Sequence, residues 1–254
     1  MKNLLLAIIT FTRIPFPQKD LNLDMDELYK SMAFFPFCGF IIGLFCSAIL
    51  YSLQNILPVN ILILTVIFIM TIITGAFHED GLADVCDSYG GYTKEKKLEI
   101  MRDSRIGTFG VLGLIMLIFF KFFLLKEISL EILPIAIITS LTIGRFCVIP
   151  IIKLYSCLER DEGEQNYVSH ILNFNYRTLF IAFLFTIIIT GLVLGFIKAL
   201  LILFIVQIII LLIGIYFKHS LGGISGDVCG TLEQIGELIV YLLFIFFQNG
   251  IIFI

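Results

Sequence analysis

The stretch TLFIAFLFTIIITGLVLGFIKALLILFIVQIIILLIGIYF at residues 178–217 decides the fold, because it carries a single charge, that of Lys198. A helix rises about 1.5 Å per residue, so about 20 apolar residues can cross a hydrocarbon core about 30 Å thick. The stretch therefore predicts two membrane spans, 178–197 and 199–217. Similar apolar blocks lie at 32–53, 58–76, 108–125, 132–152 and 234–254. We expect an all-α, polytopic integral membrane bundle of about seven transmembrane helices that forms one domain, residues 1–254.

The composition agrees with a membrane protein. The chain is 59% hydrophobic and 15% charged, whereas soluble domains carry about 25% charged residues. A net charge of −3 argues against a surface that binds nucleic acid. The six cysteines include no C-x-x-C pair, so neither a zinc site nor a disulfide framework is expected.

Basic residues are concentrated in alternate connections. The segment before the first predicted span and the connections after the second, fourth and sixth spans hold 13 of the 17 Lys and Arg residues. The other connections hold two, Lys126 and Lys198. Basic loops stay on the cytoplasmic side of a membrane. The N-terminus and the polar motifs are therefore predicted to be cytoplasmic, with the active site at that face of the cell inner membrane.

An acidic cluster follows the second predicted span, in GAFHEDGLADVCD at residues 75–87. Asp80, Asp84 and Asp87 are spaced i, i+4 and i+7, so a helix would place them on one face. Like charges on one face repel each other unless a cation lies between them. A set of carboxylate oxygens favours Mg²⁺, Mn²⁺ or Ca²⁺ over zinc. The alternative is a solvated acidic loop.

One further motif and a single arginine inside a span suggest binding of phosphate. In LEIMRDSRIGTFG at residues 98–110, Arg102 and Arg105 could hold phosphate oxygens bidentately, or could form a salt-bridged helix end. Arg145, inside the fourth span, could hold a phosphate or pair with the acidic cluster at residues 78–87.

The glycine-rich segment LGGISGDVCG at residues 221–230 precedes the last span. Gly223 and Gly226 would let the backbone approach an anion at a helix start, although small residues also serve helix packing in membranes. Asp227 is the candidate for a second arm of the metal site, and Glu237 enters an apolar span, where it needs a partner. We hypothesise that residues 80–87 and 226–237 converge on one site.

These motifs, with FTRIPFP at residues 11–17, run nearly from end to end, and the chain resembles the cobalamin synthase (adenosylcobinamide-GDP ribazoletransferase) family. Ile224 departs from the polar Gln expected in many members. The resemblance implies a membrane-bound, Mg²⁺-dependent reaction. The ribose 3′-hydroxyl of α-ribazole, or of its 5′-phosphate, attacks the cobinamide-linked phosphorus of adenosylcobinamide-GDP, and GMP leaves.

The resemblance and the motifs together suggest roles for individual residues. His78 or Asp103 would take the proton from the attacking hydroxyl. The expected partners are the two substrates and the lipid bilayer, and a homo-oligomer is left open. The metal ligands would be Asp80, Asp84, Asp87 and Asp227, and the phosphate contacts would come from Arg102, Arg105, Arg145, Gly223 and Gly226.

Two other functions fit part of the pattern. DGLAD at residues 80–84 is similar to the acidic motif of CDP-alcohol phosphatidyltransferases, but Ala83-Asp84 stands where those enzymes have Ala-Arg. An ion-coupled transporter would also place charges in a membrane bundle. The charges here lie mainly in loops on one side, and no repeated halves with broken helices are evident.

Overall fold

The computed structural model describes residues 2–15, 25–155 and 176–250, and these residues are mostly helical. The long apolar helices are α3 (Phe35–Leu53), α7 (Thr108–Glu127), α8 (Leu133–Leu154), α9 (Tyr176–Leu194), α10 (Phe196–Leu221) and α11 (Gly226–Gln248). The shorter helices are α1 (Lys2–Phe11), α2 (Met25–Ser31), α4 (Val59–Thr74), α5 (Phe77–Ser88) and α6 (Lys94–Met101), and a 3₁₀ turn, Met32–Phe34, precedes α3.

The membrane bundle predicted from the apolar blocks is confirmed. Within the described ranges, six helices are long and apolar enough to cross a membrane, and α4 with α5 makes a seventh if the bent pair counts as one span. Three boundaries differ from the prediction, and each difference has a local cause.

The second predicted span, 58–76, is not a straight crossing. Helix α4 has 16 residues, about 24 Å at 1.5 Å per residue. The chain then bends by 91° into α5. Two consecutive residues in the left-handed region, Gly75 with φ 67° and Ala76 with φ 58°, end α4. The acidic cluster thus lies on a helix and not in a solvated loop, and this helix is turned by 91° from α4.

The other two differences lie at helix ends. The break between the fifth and sixth spans falls at Gly195, whose φ is 93°, and not around Lys198. Helix α11 begins at Gly226, eight residues before the predicted start at 234, because the Ser225 hydroxyl accepts a hydrogen bond from the Val228 N–H and caps the helix. Residues 251–254 of the predicted last span lie outside the described residues.

Helix α8 is the centre of the bundle, and nearly all of its residues from Leu133 to Ile152 are buried. Glycines allow its neighbours to approach closely. A Cβ on Gly43 of α3 would lie 2.8 Å from the Ile138 Cα, and a Cβ on Gly236 of α11 would lie 2.9 Å from the Cys147 Sγ. This close packing of α3 and α11 on α8 fixes where the polar start of α11 lies.

Candidate active site

Helices α5 and α11 cross in direct backbone contact. A Cβ on Gly81 would lie 2.8 Å from the Asp227 Cα, and a Cβ on Gly230 would lie 3.0 Å from the His78 carbonyl oxygen. The Thr231 hydroxyl donates to the Gly81 carbonyl at 3.3 Å. Segments 80–87 and 226–237 are therefore in contact, as their convergence on one site would require.

The crossing brings three of the predicted metal ligands to one region. Asp80 is exposed and Asp84 is half-buried on α5, and at about 100° per residue both lie on one stripe beside Gly81. Asp227 is half-buried in the first turn of α11. The Ser225 hydroxyl donates to the Asp227 Oδ2 at 3.3 Å.

Asp87, the fourth predicted ligand, has a different position. Its two carboxylate oxygens accept hydrogen bonds from the Gly107 and Gly110 N–H groups, each at 2.7 Å. These N–H groups belong to the start of α7, where free donors and the helix dipole favour a negative charge. We therefore leave Asp87 out of the proposed metal ligands, since its oxygens already cap α7.

The arginine motif forms a loop after α6. The Arg105 guanidinium is 87% exposed and binds Asp103 through NH2–Oδ2 at 2.6 Å and Nε–Oδ1 at 3.0 Å. The hydrogen bonds from Arg105 lower the pKa of Asp103 to about 2. A carboxylate with so low a pKa is a weak base, so Asp103 is better suited to hold Arg105 in place than to take a proton. Arg102 is exposed at the end of α6.

Helix α6 also borders the glycine-rich turn. The Lys97 Nζ donates to the Ser220 hydroxyl at 2.9 Å, and the Lys94 side chain covers Gly222, whose φ of 88° favours glycine. Gly223 is buried in this turn and Gly226 is the first residue of α11. The turn and the basic helix therefore lie at the same end of the bundle as the acidic crossing.

Arg13 is a candidate that the sequence analysis did not single out within FTRIPFP. The backbone N–H of Arg13 donates to the Ile73 carbonyl at 2.7 Å. The Arg13 side chain lies against Gly75, in the space that a Cβ there would need. This exposed guanidinium thus lies at the bend from which α5 starts. Phe16 and Pro17 of the motif are outside the described residues.

Two predicted site residues are instead deep in the bundle. Arg145 is 1% exposed, and its NH1 atom lies 2.9 Å from the Glu233 Oε1 and 3.1 Å from the Glu237 Oε1. The need of Glu237 for a partner is met by Arg145 and by the Lys121 Nζ at 2.8 Å. Because its charge is already paired, we leave Arg145 out of the phosphate contacts.

His78 is 3% exposed. Its Nδ1 atom lies 3.4 Å from the Glu233 Oε2, and its ring packs near the rings of Phe35 and Phe77. The imidazole therefore points into the bundle and away from the exposed Asp80, and we assign it no proton transfer.

The donors at the crossing fit Mg²⁺ by type. Across 2–15, 25–155 and 176–250, no three His, Cys, Asp or Glu side chains are already arranged around a metal position. Mg²⁺ commonly binds one or two carboxylates and completes its six ligands with water and substrate phosphates. Asp80, Asp84 and Asp227 supply carboxylates beside a close backbone contact, so an ion held jointly with a diphosphate suits them.

Comparison with known proteins gives the family. The family model described as Cobalamin-5-phosphate synthase matches residues 3–245. The adenosylcobinamide-GDP ribazoletransferase of Shewanella sp. (strain W3-18-1) is 36% identical over 247 residues, 94% of this chain and 91% of the relative. That of Shewanella baltica (strain OS185) is 35% identical over 254 residues, 96% and 94% of the two chains. No solved structure matches the chain.

The apolar helices define a multi-pass membrane protein, and polar residues meet at one end of the bundle where α5 crosses α11. The chain belongs to the cobalamin-5-phosphate synthase family. It is accordingly a transferase of cobalamin biosynthesis, the enzyme class that the resemblance implied.

Proposed function

We propose that this protein joins adenosylcobinamide-GDP to α-ribazole, or to α-ribazole 5′-phosphate, and releases GMP. Family membership supports the reaction class. The main observation behind the proposal is the close contact of α5 with α11. A Cβ added to Gly81 would lie 2.8 Å from the Asp227 Cα. It brings carboxylates from two distant motifs next to the basic α6 and its loop.

The reaction exchanges one phosphorus–oxygen bond for another. The ribose 3′-oxygen bonds to the cobinamide-linked phosphorus, the bond from that phosphorus to the bridging oxygen breaks, and the bridging oxygen leaves with GMP. The hydroxyl proton is released. Catalysis of phosphoryl transfer rests mainly on positioning and on stabilising negative charge. Mg²⁺, when bound, would neutralise charge on the diphosphate.

The residues divide into an acidic and a basic set. Asp80, Asp84 and Asp227 would hold Mg²⁺. Arg102 and Arg105 would bind phosphate oxygens, with Asp103 keeping the Arg105 fork oriented until the substrate arrives. Gly223 and Gly226 would let the backbone at the start of α11 approach the diphosphate.

We place this site at the cytoplasmic face of the cell inner membrane. The basis is the concentration of 13 of 17 basic residues in the predicted cytoplasmic segments. Tyr92, wholly exposed between α5 and α6, offers a position for a single-cysteine variant. If Tyr92→Cys in sealed vesicles is labelled only from the side opposite the cytoplasm, the placement is contradicted.

The test is turnover of the full chain in lipid nanodiscs. With Mg²⁺, adenosylcobinamide-GDP and α-ribazole 5′-phosphate, GMP and a new corrinoid should appear in equal amounts, and chelation of Mg²⁺ should stop both. A mixture of a CDP-linked alcohol and an acceptor alcohol is the matched control, because it tests the phosphatidyltransferase alternative. CMP release from that mixture, with no GMP from the corrinoid, would reject the proposal.

A further inference from the structure

Five ionisable side chains from four helices meet inside the bundle, and we call them the buried charge cluster. Each is at most 5% exposed by its side chain. The chain of contacts runs from Lys121 to Glu237, to Arg145, to Glu233 and to His78, with distances of 2.8, 3.1, 2.9 and 3.4 Å. Two basic side chains, Lys121 and Arg145, face two acidic ones, Glu233 and Glu237.

Burying this cluster is expensive, and the cost suggests a purpose beyond stability. Charges inside a membrane bundle are rare and usually functional. An apolar core of the same volume is often at least as stable as a buried ion pair. What charged pairs add is a defined geometry, since one arrangement satisfies all of them. Here they tie α5, α7, α8 and α11 together in one register.

Helix α5 connects the buried charge cluster to the candidate active site. His78 is two residues before Asp80, and the backbone of His78 is also the surface on which Gly230 packs, with a Cβ there 3.1 Å from the His78 Cα. Glu233 lies 3.4 Å from the His78 Nδ1, a polar contact that is not a hydrogen bond. The Gln234 Nε2 donates to the Glu233 Oε2 at 2.8 Å and holds Glu233 in place. The side-chain contact of His78 with Glu233 thus lies one turn of α11 from the backbone contact of His78 with Gly230.

The other end of α5 is fastened separately. Asp87 binds the Gly107 and Gly110 N–H groups at the start of α7. Helix α5 has 12 residues and follows a 91° bend, so it needs such anchors to keep its orientation. Asp80 and Asp84 lie between the anchor at His78 and the anchor at Asp87. Loss of either anchor would let α5 shift and would move the Asp80 and Asp84 carboxylates relative to Asp227.

We propose that His78 and Glu233 are positioning residues, and that the buried charge cluster sets α5 on α11 so that the carboxylates of the two helices share one ion. This inference rests on the proposed function. It gives His78 a role different from proton transfer. It also explains why an imidazole next to the acidic motif faces inward.

Three substitutions of His78 separate the roles. His78→Asn places an amide N–H close to the position of Nδ1, so it should preserve the contact with Glu233 and keep turnover within about threefold. His78→Leu removes the contact at similar volume. It should lower turnover about 10–100-fold and raise the Mg²⁺ concentration for half-maximal rate by a similar factor, the usual range for residues that orient metal ligands.

A readout that does not depend on activity is hydrogen exchange of the full-length protein in nanodiscs. His78→Leu should speed exchange of the α5 amides and leave those of α8 unchanged. If His78→Leu does not fold, His78→Gln serves instead, because its amide lies near the position of Nε2 and misses Glu233. Like His78→Leu, it should lower turnover, raise the Mg²⁺ requirement and speed exchange of the α5 amides.

The outcomes separate the inference from the proposed function. If His78→Asn and His78→Leu both abolish turnover without a change in α5 exchange, His78 acts chemically and the inference is overturned. Wild-type Mg²⁺ dependence in His78→Leu and His78→Gln also overturns it. If wild-type protein releases no GMP while exchange of α5 responds to His78→Leu, the proposed reaction fails and the positioning of α5 stands.

Discussion

Replacement of Gly81 by alanine perturbs the crossing of α5 and α11 with a single methyl group. That Cβ would lie 2.8 Å from the Asp227 Cα and 2.9 Å from the Asp227 carbonyl oxygen. Carbon atoms in contact prefer about 3.5–4.0 Å, so the two helices must separate by about 0.7–1.2 Å. Both contacting atoms belong to the backbone, and a rotamer change cannot relieve the clash.

The expected effect on activity exceeds the effect on stability. Alanine in place of glycine favours a helix by about 1 kcal/mol, and overpacking costs about 1–3 kcal/mol, so the net destabilisation should be at most about 2 kcal/mol. A displacement of about 1 Å between groups that must act together can cost about 10²-fold in rate. We therefore expect GMP release to fall about 100-fold while most of the protein stays folded.

The assay pairs initial rates of GMP release with thermal unfolding in nanodiscs. Gly90→Ala is the matched control, since its Cβ would meet no atom closer than the Asp87 carbonyl oxygen at 3.3 Å, and we expect it to keep nearly wild-type turnover. If Gly81→Ala turns over at the wild-type rate with the wild-type Mg²⁺ requirement, the contact of α5 with α11 does not set the catalytic geometry.

Three further predictions follow from the positions of the aspartates. Asp80→Asn and Asp84→Asn should each abolish turnover with near-normal yield of folded protein, because each removes a repelling charge as well as a ligand; loss of folded protein in both would indicate a structural role. Asp87→Asn should lower stability by about 1–2 kcal/mol, seen as a lower midpoint of thermal unfolding, and leave the Mg²⁺ dependence unchanged; a shifted Mg²⁺ dependence would return Asp87 to the metal ligands. The pKa of Asp103 is lowered to about 2, so its carboxylate stays charged and its ion pair is lost only as pH falls towards that value. The pH–rate profile between about pH 5 and 8 should keep its shape in Asp103→Asn, and disappearance of one limb would show that Asp103 is the base.

The membrane spans could be predicted from the sequence because length and apolarity alone decide whether a helix can cross a bilayer. For residues 77–88, the spacing of Asp80, Asp84 and Asp87 was compatible with a helix, and a solvated acidic loop was the alternative. The bend at Gly75 and Ala76 could not be predicted. A glycine at the end of an apolar block is compatible with a loop as well as with a 91° turn.

Roles that depend on which helices are neighbours were the hardest to predict. An aspartate that binds a metal and one that caps a distant helix have the same local sequence, so the role of Asp87 becomes visible only once Gly107 and Gly110 lie beside it. Glu237 was recognised from the sequence as needing a partner, and Arg145 was among the partners expected. The signal that was missed is Lys121, a second cation inside an apolar block, which indicated that the span faces buried acids.

Binding of Mn²⁺ in place of Mg²⁺, followed by electron paramagnetic resonance in nanodiscs with adenosylcobinamide-GDP present, tests most directly whether the two distant motifs form one site. The measurement compares wild-type protein with Asp80→Asn and Asp227→Asn, and uses Asp103→Asn as the control. The account predicts that Asp80→Asn and Asp227→Asn each weaken the same Mn²⁺ signal by about 10-fold or more, whereas Asp103→Asn does not. Undiminished Mn²⁺ affinity in Asp227→Asn would contradict the single site and leave the glycine-rich turn as helix packing.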